Sequence, residues 1–575
     1  MIRSVMNIAT EKTLSTILML GSAFVTILVL WGQVTDPVNV TKLLALGGVA
    51  GAAITLAVSF GSRDIWANHK VAVTLAFVFS LTIINSVVQS NAPISQLIYG
   101  AYGRNAGLVT YSLLILLFIS ALPLSQKASF LKITYGLLAA GAVNVIYSLW
   151  VITLGDFIGW TNPYGNILGT FGNPNFIGAF LGMFASVLFA FIIQPNLDWR
   201  VRASSIIFLL VTFVEIGSSS AIQGIVVACG GMSLVGLFFL RSKFSSPLIP
   251  SLYSLLVLFG GVLATLGALQ KGPLTSLIYK NSVSLRGEYW QAGWNMADKF
   301  PWSGVGMDTY GDWYRRLRDD QALINPGPNT ISNAAHNVVL DQLAYGGWPM
   351  FIAYLSIIVL VTIAIIKVVL RNKAFDFTFI GLAVAWICYQ VQSVISINQI
   401  GLAIWGWLLG GTLIAYERAT RSADSKDGTT RNLVGSTKGK KPKQSVGLSP
   451  FMVGVLGAVV GLLIAVPPYS SDAKWKAALG SGSVEQIEKA LTPGYLNPQG
   501  SFRYANATQL FEANKLYDQA YKYAKIGVEF NPEFFDAWKL LYYIQKSTPE
   551  ERELAKKNLL RIDPMNNTIF DVPEE

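Results

Sequence analysis

The chain has 575 residues, 52% hydrophobic and only 13% charged, where an ordinary soluble domain carries about a quarter charged residues, so a soluble enzyme and a disordered chain are both excluded. Its 43 Lys and Arg against 32 Asp and Glu give a net charge of +11, compatible with nucleic acid, a membrane surface or basic cytoplasmic loops. The two cysteines, Cys229 and Cys388, lie in apolar runs, so no disulfide framework is expected.

Apolar stretches of the length that crosses a bilayer as helix, about 17–25 residues, begin at 13–31, 41–60, 71–88, 107–124, 133–154 and 175–193. They continue at 204–216, 221–240 and 249–269, then after a long loop at 338–366, 375–394 and 400–416, with a last, isolated one at 450–466. The fold expected is all-α, a polytopic helical membrane protein of about 13 spans. The first stretch runs into Trp31-Gly32-Gln33 without a small-residue cleavage site, so it reads as a retained helix.

Short loops rich in Lys and Arg resist translocation. Those around Lys12, Arg63, Lys70, Lys127, Lys132, Arg200, Arg241 and Lys367 are therefore expected in the cytoplasm. The alternate connections are nearly free of basic residues, Arg104 being the main exception. This predicts that the loop at 270–335 and everything after 466 face outward. Residues 417–448, rich in Ser, Gly, Thr and Lys, read as a disordered cytoplasmic linker. The linker has no aromatic residues to stack bases, so no nucleic acid is expected. Four units result: a membrane domain over 1–416, the linker over 417–448, a final span over 449–467 and an outward helical domain over 468–575.

In that last unit Asn497-Pro498, Asn531-Pro532 and Asp563-Pro564 recur at intervals close to the roughly 34-residue tetratricopeptide period. Tyr517-Asp518-Gln519-Ala520-Tyr521 resembles the second helix of such a repeat. A small tetratricopeptide-like domain is expected, with an unrelated helical bundle as the alternative, and its surface suits a protein partner.

Charged residues beside membrane depth are costly, which makes each a functional candidate. Arg104 either holds an anionic group or anchors the interface. Asn173 and Asn175 flank Pro174, where capping competes with anion binding at a helix N-terminus. Arg286 and Trp290 belong to an Arg-, Tyr- and Trp-rich segment suited to lie on the membrane over a glycolipid. Arg315 and Arg316 alternate with acids, as solvated helix faces do. His336 is one of two histidines; its imidazole can take a proton from a hydroxyl, with an interfacial or capping histidine as the other reading. No metal site or cofactor is expected, because a single outward histidine leaves only carboxylates as ligands.

Gly103-Arg104-x-x-Gly107, Phe171-Gly172-Asn173-Pro174-Asn175-Phe176, Arg286-x-x-x-Trp290 with Pro301-x-x-Gly304-x-Gly306, and His336-Asn337 together resemble the O-antigen ligase and polymerase superfamily over roughly 97–416. The resemblance implies a metal-independent bacterial C-type glycosyltransferase of the cytoplasmic membrane. Such an enzyme moves a glycan from undecaprenyl pyrophosphate to a glycan, lipid or protein hydroxyl. It further implies that His336 activates the acceptor, that Arg286 binds the leaving pyrophosphate and that Arg104 assists. Many relatives carry a Ser-Arg pair where this chain has Ser218-Ser219-Ser220, so either another arginine, such as Arg315 or Arg316, compensates or this chain grips its lipid carrier differently. A lipid-linked glycan transporter or flippase, or a non-catalytic membrane scaffold, are the competing classes.

Overall fold

The computed structural model describes residues 6–424 and 448–570. Among them the structure is helical apart from one isolated bridge between Gly494 and Asn497. The first half holds α1 (Ile8–Ile27), α2 (Asn39–Asn68), α3 (Lys70–Gln89), the short α4 (Ile94–Tyr99), α5 (Leu108–Ala121), α6 (Lys127–Leu154), α7 (Pro174–Ile193), α8 (Trp199–Ser218), α9 (Ile222–Lys243) and α10 (Leu248–Ala268). The long loop carries α11 (Thr275–Ile278), α12 (Asn281–Lys299), α13 (Tyr310–Leu317) and α14 (Asp320–Ile324). Then come α15 (Val338–Arg371), α16 (Phe377–Ser393), α17 (Ile400–Asp424), α18 (Pro450–Ser481), α19 (Val484–Ala490), α20 (Ser501–Ala513), α21 (Tyr517–Phe530), α22 (Phe535–Tyr543) and α23 (Pro549–Ile562).

Ten of these helices are long and apolar enough to cross a membrane. Two more, α5 and α16, are apolar but shorter, and α1 carries Glu11 and Lys12 near its start. Each expected span thus has its helix, though fewer meet both criteria of length and hydropathy. The bundle is organised around α17, whose apolar window is 94% buried, while α10 at 6% stands at the periphery.

Small residues set the closest helix contact. A Cβ on Gly51 of α2 would stand 2.1 Å from the Gly457 carbonyl oxygen of α18, and one on Gly461 would stand 1.9 Å from that of Gly47. Both helices carry Gly-x-x-x-Gly, and in lipid such approach replaces the hydrophobic drive that water supplies elsewhere. The helix expected to be isolated is therefore seated on the second span. Helix α18 then continues through Pro467 and Pro468 to Ser481 without interruption, so no break marks the boundary expected after 467. Likewise α17 runs to Asp424, making the start of the expected linker helical; its remainder lies outside the described residues.

At one end of the bundle Glu11 accepts the Ser125 and Gln126 amides at 2.8 and 2.7 Å, Lys127 meets Asp376 at 3.3 Å and Arg371 meets Glu417 at 3.0 Å. The opposite end ties its connections differently. The Tyr102 hydroxyl donates to Thr35 at 2.8 Å, Asn39 to the Gly103 carbonyl at 2.8 Å and Asn85 to the Trp302 carbonyl at 3.0 Å. The long loop and the C-terminal helices sit at this second end. Beyond α18, the pairs α20–α21 and α22–α23 pack around two small cores, one holding Trp475, Tyr504 and Phe511, the other Trp538, Leu541 and Leu559.

Candidate active site

Proline 349 lies within α15, where it has no N–H to give the Tyr345 carbonyl and its ring crowds that oxygen. The helix breaks at Gly347, with φ 65° and ψ −164°. Backbone freed at membrane depth must be satisfied within the protein, and the loop does this. Val305 donates to the Ala344 carbonyl at 2.9 Å and Gly306 to that of Tyr345 at 3.1 Å, while the Trp348 amide donates to Pro301 at 2.8 Å. A Cβ on Gly304, whose φ is +62°, would lie 2.3 Å from the Tyr345 carbonyl carbon. The Pro301-x-x-Gly304-x-Gly306 motif is thus a brace that locks the loop into the broken helix.

The brace delivers Asp308 to a buried hub. Arg104 Nε pairs with Asp308 at 2.9 Å, its Nη1 donates to the Asn333 carbonyl at 2.5 Å and its Nη2 to the Tyr345 hydroxyl at 2.6 Å. The Ala101 and Ala106 amides donate to Asp308 Oδ2 at 2.7 and 3.1 Å. Arg104 therefore holds the α4–α5 turn, the loop and α15 together through its three nitrogens.

His336 follows directly. It takes a left-handed φ of 54°, between Ala335, whose amide donates to Asp341 at 2.8 Å, and Asn337, whose side chain caps α15 by accepting from Val339 at 3.0 Å. On α12, Arg286, Tyr289 and Trp290 share one face by their spacing. The Tyr289 ring lies 5.4 Å from that of His336, and the Tyr289 carbonyl accepts from the Tyr310 hydroxyl at 2.5 Å. Arg286 is 7% exposed, and among the described residues no carboxylate or hydrogen-bond acceptor engages it. Burial, with the Arg286 and Arg104 guanidiniums, pushes the His336 imidazole down to about 4. The ring is neutral near pH 7, the form able to accept a proton.

The other expected residues lie elsewhere. Asn173 caps α7, accepting from the Asn175 amide at 2.9 Å, and the Asn175 carbonyl accepts from Gln223. Arg315 and Arg316 do not join His336: Arg315 pairs with Asp563 at 2.9 Å and Arg316 with Glu533. Both are taken up by carboxylates of the C-terminal part, which favours the alternative that this chain grips its lipid carrier differently from relatives with the Ser-Arg pair. Instead Lys280 of the loop donates to the Ser220 carbonyl at the α8–α9 turn. Sequence reading missed Asp308 and Asp341. Asp341 carried a usable signal, a carboxylate four residues after the cap of an apolar span; Asp308 carried none, because its role depends on Arg104, remote in sequence.

Residues 204–355, from α8 through the break in α15, match the family model described as O-Antigen ligase. The matched segment contains Arg286, the brace and His336. The chain is accordingly a multi-pass helical membrane protein with a segment similar to O-antigen ligases, which supports a glycosyltransferase-like role in polysaccharide assembly. No curated protein matches the chain.

Proposed function

We propose that this protein transfers a glycan from undecaprenyl pyrophosphate to an acceptor hydroxyl at the outer face of a bacterial cytoplasmic membrane. The observation that carries the reading is a buried arginine, Arg286, with no partner among the described residues and within electrostatic reach of a neutral histidine. A buried cation left unpaired is costly, and a pyrophosphate is the ligand that relieves it.

In this reading the acceptor oxygen attacks the anomeric carbon as its proton passes to the His336 imidazole. The bond from that carbon to the pyrophosphate oxygen breaks, and its electron pair leaves with the lipid pyrophosphate, whose charge Arg286 stabilises. Arg104 acts one step back, holding the Asn333 carbonyl near His336. Lys280, at the turn where relatives resembling this chain place an arginine, supplies a second cation. The loop and residues 468–575 face outward, the latter as a tetratricopeptide-like surface for a protein partner. Both assignments follow from the basic residues of the opposite connections.

Mass spectrometry of lipid-linked and surface glycans tests the reading in cells carrying equal amounts of wild type or His336→Ala. Accumulated lipid-linked glycan with loss of a surface glycan is the expected result. Unchanged pools, where the wild type is required for the surface glycan, overturn the assignment of His336.

A further inference from the structure

A cavity of about 270 Å³ opens between the membrane domain and the C-terminal helices, and none of its walls includes His336 or Arg286. The α4–α5 turn supplies Tyr99 and Tyr102, α13 supplies Asp312, and the far wall is built by Phe502 at the start of α20 and by Phe534 to Asp536. The volume lies just below the roughly 300–1,000 Å³ of ordinary small-molecule pockets. It is too small for a folded loop and large enough for a short ligand segment.

The wall combines two chemistries. Tyr102 and Phe502 stack across the junction with ring centroids 4.7 Å apart and planes within 2°, yet they stay 37% and 44% exposed. Two large rings kept parallel and open offer a flat apolar platform, which a monomeric surface rarely leaves unused. Around it stand polar groups, several of them in ion pairs. Asp308 is paired with Arg104, Glu533 with Arg316 and Arg561, Arg315 with Asp563, and Arg503 with Asp472. Asp312 accepts from Gln96 at 3.1 Å and from Asn531 at 3.2 Å. Asp312 and Asp536 form no ion pair among the described residues, so the wall keeps carboxylate oxygens open to a donor. Its remaining lone pairs select a ligand rich in hydroxyl donors, with C–H faces to lie on the rings.

We propose that this cavity is a glycan-binding subsite, taking a short neutral hydroxyl-rich saccharide segment between Tyr102, Phe502 and Asp536. The inference rests on the glycosyl-transfer reading above and adds to it a second contact, shared by the membrane domain and the C-terminal helices. Its position fits that use: Asp308 and Asn333 line the cavity and also hold Arg104, and Asn333 is three residues before His336. The segment belongs either to the acceptor or to the lipid-linked donor.

The test uses the full-length protein in detergent with a panel of neutral di- to tetrasaccharides of glucose, galactose, mannose and N-acetylglucosamine. Binding is read by saturation-transfer NMR, and transfer by kinetics in membranes. Phe502→Ala and the rim variant Asp536→Ala, whose side chain is exposed, are expected to weaken saccharide binding at least tenfold. Phe502→Tyr should restore it, and His336→Ala should bind as wild type does. In transfer, a raised KM for the acceptor alone assigns the subsite to the acceptor; a raised KM for the lipid-linked glycan alone assigns it to the donor. No binding by any saccharide, binding unchanged in both variants, or preference for a lysine-rich peptide overturns the inference. Failure of the transfer reading looks different, since His336→Ala would then leave the glycan pools unchanged whatever these variants do.

Discussion

Arg318 and Asp563 meet at 2.7 Å with both side chains sealed from solvent, although one belongs to the membrane-domain loop and the other follows the last helix of the chain. Asp563 also accepts from Arg315 at 2.9 Å, so a single carboxylate bridges two buried guanidiniums across the junction. Removing one partner of a buried pair costs about 3–5 kcal/mol, because the other charge remains unmatched. Asp563→Ala is therefore expected to undock the C-terminal helices. Hydrogen exchange should show α13 and α23 losing protection together while the bundle keeps its own, and deleting 468–575 should impair transfer by exposing the same arginines.

Arg104 is expected to tolerate no replacement. Each of its three nitrogens has a different partner, and a lysine offers one compact ammonium in place of the planar fork. Arg104→Lys should abolish at least nine-tenths of transfer, and Asp308→Asn should do nearly as much. A transfer assay at matched membrane levels decides this; near-normal activity in Arg104→Lys would show that the hub is not needed.

The pH dependence follows from the neutral imidazole. With His336 held down to about 4 by burial and the neighbouring guanidiniums, the proton-accepting form persists well below neutrality. The acid limb of kcat/KM should thus lie near 4, activity falling as pH drops through that value. Arg286→Ala removes one of the depressing charges, so in that variant the residual activity should show its acid limb shifted upward. A limb unmoved by the substitution would place Arg286 away from the imidazole.

The glycine contact between α2 and α18 makes a separate claim about assembly. Gly51→Leu or Gly461→Leu inserts a side chain where even a Cβ would fall 2.1 or 1.9 Å from a carbonyl oxygen. The helices must then part. Cysteine pairs placed across α2 and α18 should crosslink in the parent and lose most of that crosslinking in either variant, while Gly480→Leu, with open space at its Cβ, should change nothing.

Much of the architecture was legible before any coordinates. The spans are readable because a bilayer imposes one length and one polarity on every crossing segment, and even the short α5 and α16 were placed within a few residues. His336 and Arg286 stood out as candidates as well, the first by its rarity and the second within its motif. What Arg315 and Arg316 pair with was not legible, for a plain reason: their partners, Asp563 and Glu533, lie more than two hundred residues away, and no local pattern announces such a pairing. The same limit hid the purpose of Gly304 and Gly306, whose need for small side chains arises from Pro349 breaking a helix some forty residues on.

Local physics, namely hydropathy, charge at loop ends and capping chemistry, was therefore enough to yield the class of protein, its helices and the candidate base. Tertiary packing alone settled which cations stay unpaired. A guanidinium's availability depends on the carboxylate that folding brings beside it, and among the described residues folding brought one to Arg104, Arg315 and Arg318 but none to Arg286.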